Sequence, residues 1–175
     1  MMTKACRLLM IGAAVLLAAC GKQAPQRPSQ RMGGTPPVDS AQLAMMELNH
    51  QMAITADEQL QQYVQAQPET YALYFGNTWV HIVDPGDEHS PQPAHEEEWL
   101  IHLRVLDMKE QLLLDSEQTY RIGRCELPVA IDKNVTEWHR GTKVRMIVPW
   151  YSAYGSQGTA DIPSYENVII DLELK

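Results

Sequence analysis

The second half of the chain is built from short alternating stretches. "TWVHIV" sets Trp79, His81 and Val83 against Val80 and Ile82, and "WLIHLRVLDM", "KVRMIV" and "NVIIDLEL" follow further on. A period of two puts alternate side chains on opposite faces of a sheet, so these stretches are predicted strands. A polar turn with three prolines, "DPGDEHSPQPAHEEE", separates the first two. "QLLLD" reads as the hairpin partner of the long second strand, and "QTYRIG" as a further short strand ending at Gly123. Only Pro128 to Arg140 departs from the strand pattern. Proline suits a first helical turn, Ile131, Val135 and Trp138 line one helical face, and Gly141 stops the helix. Several antiparallel strands around one short helix make an α+β domain, here residues 75–175.

A helical region, 39–70, precedes this domain. Asp39 and Ser40 are good caps, and Leu43, Met46, His50 and Ile54 recur at helical spacing toward Leu60, Tyr63 and Val64. The predicted helix is Ala41 to Gln65, with a break near Thr55–Asp57, and Pro68 ends it. Its methionine-rich stripe reads as packing surface. Residues 20–38 hold four prolines, three glycines and almost no large apolar residue, the composition of a tether.

Residues 1–19 read as a signal peptide. Lys4 and Arg7 are followed by an apolar run from Leu8 to Ala18, too short to span a bilayer, and then by Leu17-Ala18-Ala19-Cys20. This resembles the bacterial lipoprotein signal, which implies lipidation at Cys20 and attachment to a membrane through the lipid. Cleavage there removes Cys6 and leaves Cys125 as the one free thiol, read as a small packing residue. It also moves the net charge from −8 to −10. So acidic a chain is a poor ligand for nucleic acid or anionic headgroups, which makes the lipid the expected anchor. Gly21 and Lys22 carry no acidic retention signal, so the expected location is the cell envelope, at the outer membrane facing the periplasm.

The C-terminal stretch carries a longer motif. It runs Val148-Pro149-Trp150-Tyr151-Ser152-Ala153-Tyr154-Gly155, then Ile162-Pro163, then Asp171-Leu172-Glu173-Leu174. With Leu114-Asp115-Ser116 upstream and Gly123 and Gly141 around the helix, it resembles the FKBP-type peptidyl-prolyl cis-trans isomerases. Together with the lipobox, tether and N-terminal helix, the whole is similar to the gliding-motility-associated FKBP lipoproteins. The resemblance implies an antiparallel half barrel wrapped around one short helix, with no cofactor and no metal. It also implies an isomerase acting on proline-containing polypeptide segments of envelope proteins.

The resemblance implies a site as well. Tyr154 matches the hydroxyl that reaches a substrate carbonyl, and Asp115 matches the aspartate at the pocket edge; these are the catalytic candidates. Leu114, Leu127, Pro128, Ile131, Ile162 and Ile170 match the substrate-binding walls. On this reading Ala153 and Gly155 give Tyr154 room to point into the pocket. A buried tyrosine that only ties the loop to the core is the alternative. The chain departs from the family at several positions. Ile131 replaces the tryptophan floor, Leu114 and Ile170 replace aromatics, and Arg104 aligns with a tyrosine. Pro128 stands where the family donates a backbone N–H, which proline lacks. Weak isomerase activity and poor macrolide binding are therefore expected, with a non-catalytic binding module as the alternative.

The remaining candidates are weaker. Asp87, Glu88, His89, His95 and Glu96 to Glu98 form a solvated acidic turn without fixed ligand spacing. His81 and His102 fall on strands, and His139 sits near a helix C-terminus, where the dipole favours it.

Overall fold

The computed structural model describes residues 39–175; the expected signal peptide at 1–19, the expected lipidation at Cys20 and the expected tether to residue 38 fall outside them. Helix α1 runs unbroken from Ser40 to Gln65. No second piece begins at Asp57, because its carboxylate is taken by Tyr151 and Asn77 rather than by a helix end. The Thr55 hydroxyl donates to the Gln51 carbonyl at 2.9 Å, which satisfies it without interrupting the helix. Among the described residues no helix is long and apolar enough to cross a membrane.

Six strands follow: β1 (Ala72–Tyr74), β2 (Thr78–Asp84), β3 (Glu98–Leu106), β4 (Leu112–Arg121), β5 (Lys143–Val148) and β6 (Val168–Leu174). They form one antiparallel sheet in the order β1-β2-β5-β6-β3-β4. Two elements depart from the sequence expectation. β1 is a three-residue edge strand, too short to show a period, joined to β2 through Gly76 and Asn77, both at positive φ. "QLLLD" and "QTYRIG" are one strand, since the polar residues between them sit on an exposed edge where burial imposes no alternation.

Helix α2 spans only Val129–Asn134, followed by a 3-10 turn at Val135–Glu137, well short of Arg140. The Asn134 amide donates to the Ala130 carbonyl at 2.7 Å and to the Phe75 carbonyl at 3.3 Å, and its oxygen accepts the Phe75 N–H at 3.2 Å. That ties the end of α2 to the β1–β2 turn. Trp138 then takes extended dihedrals and buries its ring against the core.

The register divides the sheet into two faces. On the inner face, Ile101, Leu103, Val105, Met146, Val148, Ile170 and Leu172 are buried with Ala130, Ile131 and Val135 of the helical segment. The outer face is apolar at one end only. Leu106, Ile169, Ile147 and Trp79 stand in register across β3, β6, β5 and β2. Leu60, Tyr63 and Val64 of α1 cover them. The next row is polar: Asp115, Arg104, Asp171, Arg145 and His81 stand side by side across β4, β3, β6, β5 and β2. A further row holds Glu117, His102, Glu173 and Lys143.

Candidate functional site

The loop between β5 and β6, residues 149–167, carries Tyr154. It starts as a tight turn: Ser152 and Ala153 donate backbone N–H groups to the Pro149 carbonyl, and Gly155 donates to Trp150 at 2.8 Å. Gly155 has φ +71, and a Cβ built on it would meet no atom within 4 Å. The glycine serves backbone conformation rather than room for the tyrosine. Gly158 is the position where space is short, with the Ile162 carbonyl 2.3 Å from a built Cβ. This close approach returns the chain to Ile162, whose carbonyl accepts the Thr159 N–H at 2.8 Å.

Six of the eight site candidates belong to the inner core or pack against it. Leu127, Ile131, Ile162 and Ile170 belong to the inner core, and Leu114 and Tyr154 pack against it. Ile131 and Ile170 are fully buried and Ile162 is 1% exposed, so these walls are interior residues rather than an open cup. Leu127 is 6% exposed, at the edge of the same group. Pro128 stands just before α2, where its carbonyl accepts from Ile131 at 2.9 Å and from Asp132 at 3.0 Å. Its ring starts the helix and offers no N–H to a ligand.

Tyr154 is partly buried against the core, and among the described residues its hydroxyl has no protein hydrogen-bond partner. Burial, with a smaller contribution from Tyr120, pushes its pKa up to about 12. It therefore stays protonated and able to donate across the physiological range. Tyr120 is a neighbour that sequence reading passed over. It is buried on the inner face, and its hydroxyl accepts from the Gln118 amide at 2.6 Å. Reading 112–121 as a single strand would have put Leu114, Ser116, Gln118 and Tyr120 on one face and found it.

Asp115 is not part of this group. Its neighbour Leu114 pairs with Val105 on the inner face, so Asp115, one residue on, points outward. There it lies 2.8 Å from His102 Nε2 and 3.7 Å from Arg104 Nε. Adjacent strand residues share a face only across a bulge. The bulge in β4 lies before Leu114: Val105 pairs with Leu114 and Leu106 with Leu112, so Leu113 is extra. Tyr154 and Asp115 therefore do not form one catalytic pair. Neither Arg104 nor Trp150 fills the cup: Arg104 is on the outer face, and Trp150 lies edge-on to Tyr165 at 4.8 Å.

The outer face holds a cavity of about 500 Å³ over the charged rows, beside Glu69. Arg145 clamps Asp171 with Nε–Oδ1 at 2.7 Å and Nη2–Oδ2 at 3.0 Å. That carboxylate hydrogen bond raises the Arg145 pKa. Lys175 and Lys143, at 3.0 and 3.3 Å, hold the Glu173 carboxyl below its usual value. His81 pairs through Nδ1 with the Thr70 carbonyl at 3.0 Å.

The acidic turn is occupied by its own contacts. Glu97 accepts from the Ala94 N–H and from Trp99 Nε1, Glu98 pairs with Arg121, and Glu96 with Arg124. Among the described residues no group of three or more His, Cys, Asp or Glu is arranged to hold a metal ion. His139 pairs with the Ser90 carbonyl at 2.8 Å instead of capping α2. Cys125 is exposed, at φ +58, rather than packed; it belongs to the turn between β4 and α2.

No family model matches the sequence, and no curated protein matches it. The fold does match solved structures. One is a 1.6 Å crystal structure of the peptidyl-prolyl cis-trans isomerase PPIase from Pseudomonas syringae pv. tomato str. DC3000. It superposes with a TM-score of 0.60 at 18% identity, covering 71% of this chain and 92% of that chain. The fold is α+β and FKBP-like.

Proposed function

We propose that the chain is a lipid-anchored peptidyl-prolyl cis-trans isomerase of the cell envelope, of modest activity, acting on proline-containing segments of envelope proteins. One observation carries this reading. Tyr154 packs against the apolar core that holds Leu127, Ile131, Ile162 and Ile170, and among the described residues its hydroxyl has no protein partner.

The reaction needs no cofactor. Rotation about an Xaa-Pro bond crosses a barrier of ~18–20 kcal/mol, because the twisted amide has lost its resonance. The twisted amide is less polar than the planar one, so apolar walls favour it. A hydrogen bond from Tyr154 that fits the twisted carbonyl better than the planar one lowers the barrier further. Pro128 supplies no N–H to the peptide, and Asp115 faces away, so the hydroxyl works with less help than the FKBP resemblance implies.

Isomerisation of a short Xaa-Pro peptide tests the reading. The chain should accelerate the reaction over buffer, Tyr154→Phe should remove most of the acceleration, and Asp115→Ala should leave it unchanged. Equal loss in both variants would restore Asp115 to the site. The anchor is tested separately: Cys20→Ser should abolish labelling by a palmitate analogue and release the chain from the membrane fraction.

A second reading rests on the burial of Ile131, Ile162 and Ile170. Walls so closely packed leave a prolyl ring only a shallow seat, which suits binding without turnover. No acceleration over buffer by a folded chain would select that reading.

A further inference from the structure

The tyrosine loop is held from outside the FKBP-like sheet. Tyr151, three residues before Tyr154, donates its hydroxyl to Asp57 Oδ1 on α1. The Asn77 amide donates to Asp57 Oδ2 at 3.1 Å and to the Tyr151 oxygen at 3.0 Å, closing a three-membered network. At the far end of the loop, the Tyr165 hydroxyl is paired with Asn49 Oδ1 of α1 at 3.1 Å. Asn49 and Asp57 are eight residues apart, about two helical turns, so one side of α1 grips both ends of the loop.

The contacts inside the loop transmit this grip toward Tyr154. Tyr165 donates its backbone N–H to the Gly155 carbonyl at 3.1 Å, next to Tyr154 in the chain. The Ser152 hydroxyl donates to the Gly76 carbonyl at 2.7 Å, and a Cβ on Gly76 would lie 2.7 Å from the Ser152 hydroxyl oxygen. Ala130 of α2 donates to the Ser152 carbonyl at 3.0 Å. Residues 151–155 are thus fixed between α1, the β1–β2 turn and α2, while the Tyr154 hydroxyl itself is left unpartnered.

We infer that α1 is part of the isomerase site, with Asp57 as a positioning residue that sets Tyr154 through Tyr151. The inference deepens the isomerase reading and rests on it for its kinetic consequence, but the clamp has a readout of its own. A carboxylate suits the place because it accepts two hydrogen bonds at once, from a phenol and an amide. An asparagine there still accepts one of them, and an alanine none.

The test uses the full chain and three variants, Asp57→Ala, Asp57→Asn and Tyr151→Phe, followed by amide hydrogen exchange and peptide isomerisation. Asp57→Ala and Tyr151→Phe should each speed exchange across residues 152–158 about tenfold, leaving β3 and β6 unchanged. Both should lower kcat by about tenfold with a smaller change in KM, since a displaced hydroxyl costs the transition state more than the bound peptide. A fourth variant combining Asp57→Ala with Tyr151→Phe should be no worse than either single one, and Asp57→Asn should recover part of the loss. Unchanged exchange in the loop would overturn the inference whatever happens to activity, and so would additive losses. If the unaltered chain shows no turnover, the isomerase reading fails, and the exchange data alone decide whether α1 clamps the loop.

Discussion

The two faces of one sheet are made by the same strands and differ almost completely. The inner face is a continuous apolar core that takes in α2 and the Tyr154 loop. The outer face is an apolar strip under α1 followed by rows of charged and histidine side chains. Ile170 and Asp171 are neighbours in β6, yet the first is fully buried and the second holds Arg145 in an ion pair at the surface. The difference shows where stability and chemistry sit. Burial of apolar area stabilises the inner face strongly, whereas ion pairs screened by solvent contribute little on the outer face. An apolar environment also changes what a polar group does: Tyr154 is pushed up to about 12, and its burial is the main cause.

Substitutions that treat the faces as equal would break this comparison. Ile170→Ala should cost the most, about 2–5 kcal/mol, because it opens a cavity in a fully packed interior; urea unfolding measures it. Leu60→Ala, under α1, should cost somewhat less, about 2–3 kcal/mol, since its site has helix on one side only and can relax. If it also loosens the Tyr154 loop by exchange, α1 couples the two faces.

The next effect is alkaline. Tyr151 and Tyr154 both bind their protons more tightly folded than unfolded, with pKa values raised from 10.0 to about 12. Their contribution is complete below about pH 10 and is lost as pH rises through about 12. Thermal unfolding midpoints should fall over that window, and Tyr154→Phe should flatten the fall. The smallest effect is expected for Asp115→Ala on the outer face, within about 0.5 kcal/mol, because its partners His102 and Arg104 stay partly solvated. A loss near that of Ile170→Ala would mean the charged rows hold the sheet together.

Much of the fold was legible in the residues. β2, β3, β5 and β6 stand where alternation and apolar density put them, as does α1, and Pro128 precedes a helix as its chemistry suggests. Ile131, Ile162 and Ile170 are buried in the inner core, and Tyr154 packs against that core. What misled was local in each case. Thr55-Ala56-Asp57 looks like a helix break, but Asp57 is occupied by Tyr151, distant in sequence. Ser116 and Glu117 separate two expected strands that are in fact one, because an exposed edge strand has no need of apolar residues. The spacing of Ile131, Val135 and Trp138 predicts one helical face, but the helix ends before Trp138, where Asn134 is bonded to Phe75 across the domain.

Side-chain type and period are local properties, so the chain by itself determined which stretches are strands, which are helices, and that one face of the sheet must be buried. Which residues meet was decided only by the tertiary structure. A single extra residue at Leu113 sets the pairing of β4 and sends Asp115 outward, because shifting a strand by one residue exchanges its faces. The reach of Asp57 to Tyr151 depends likewise on where α1 lies against the sheet. Long-range register and docking are settled by packing summed over the whole domain, and no single stretch of sequence contains that sum.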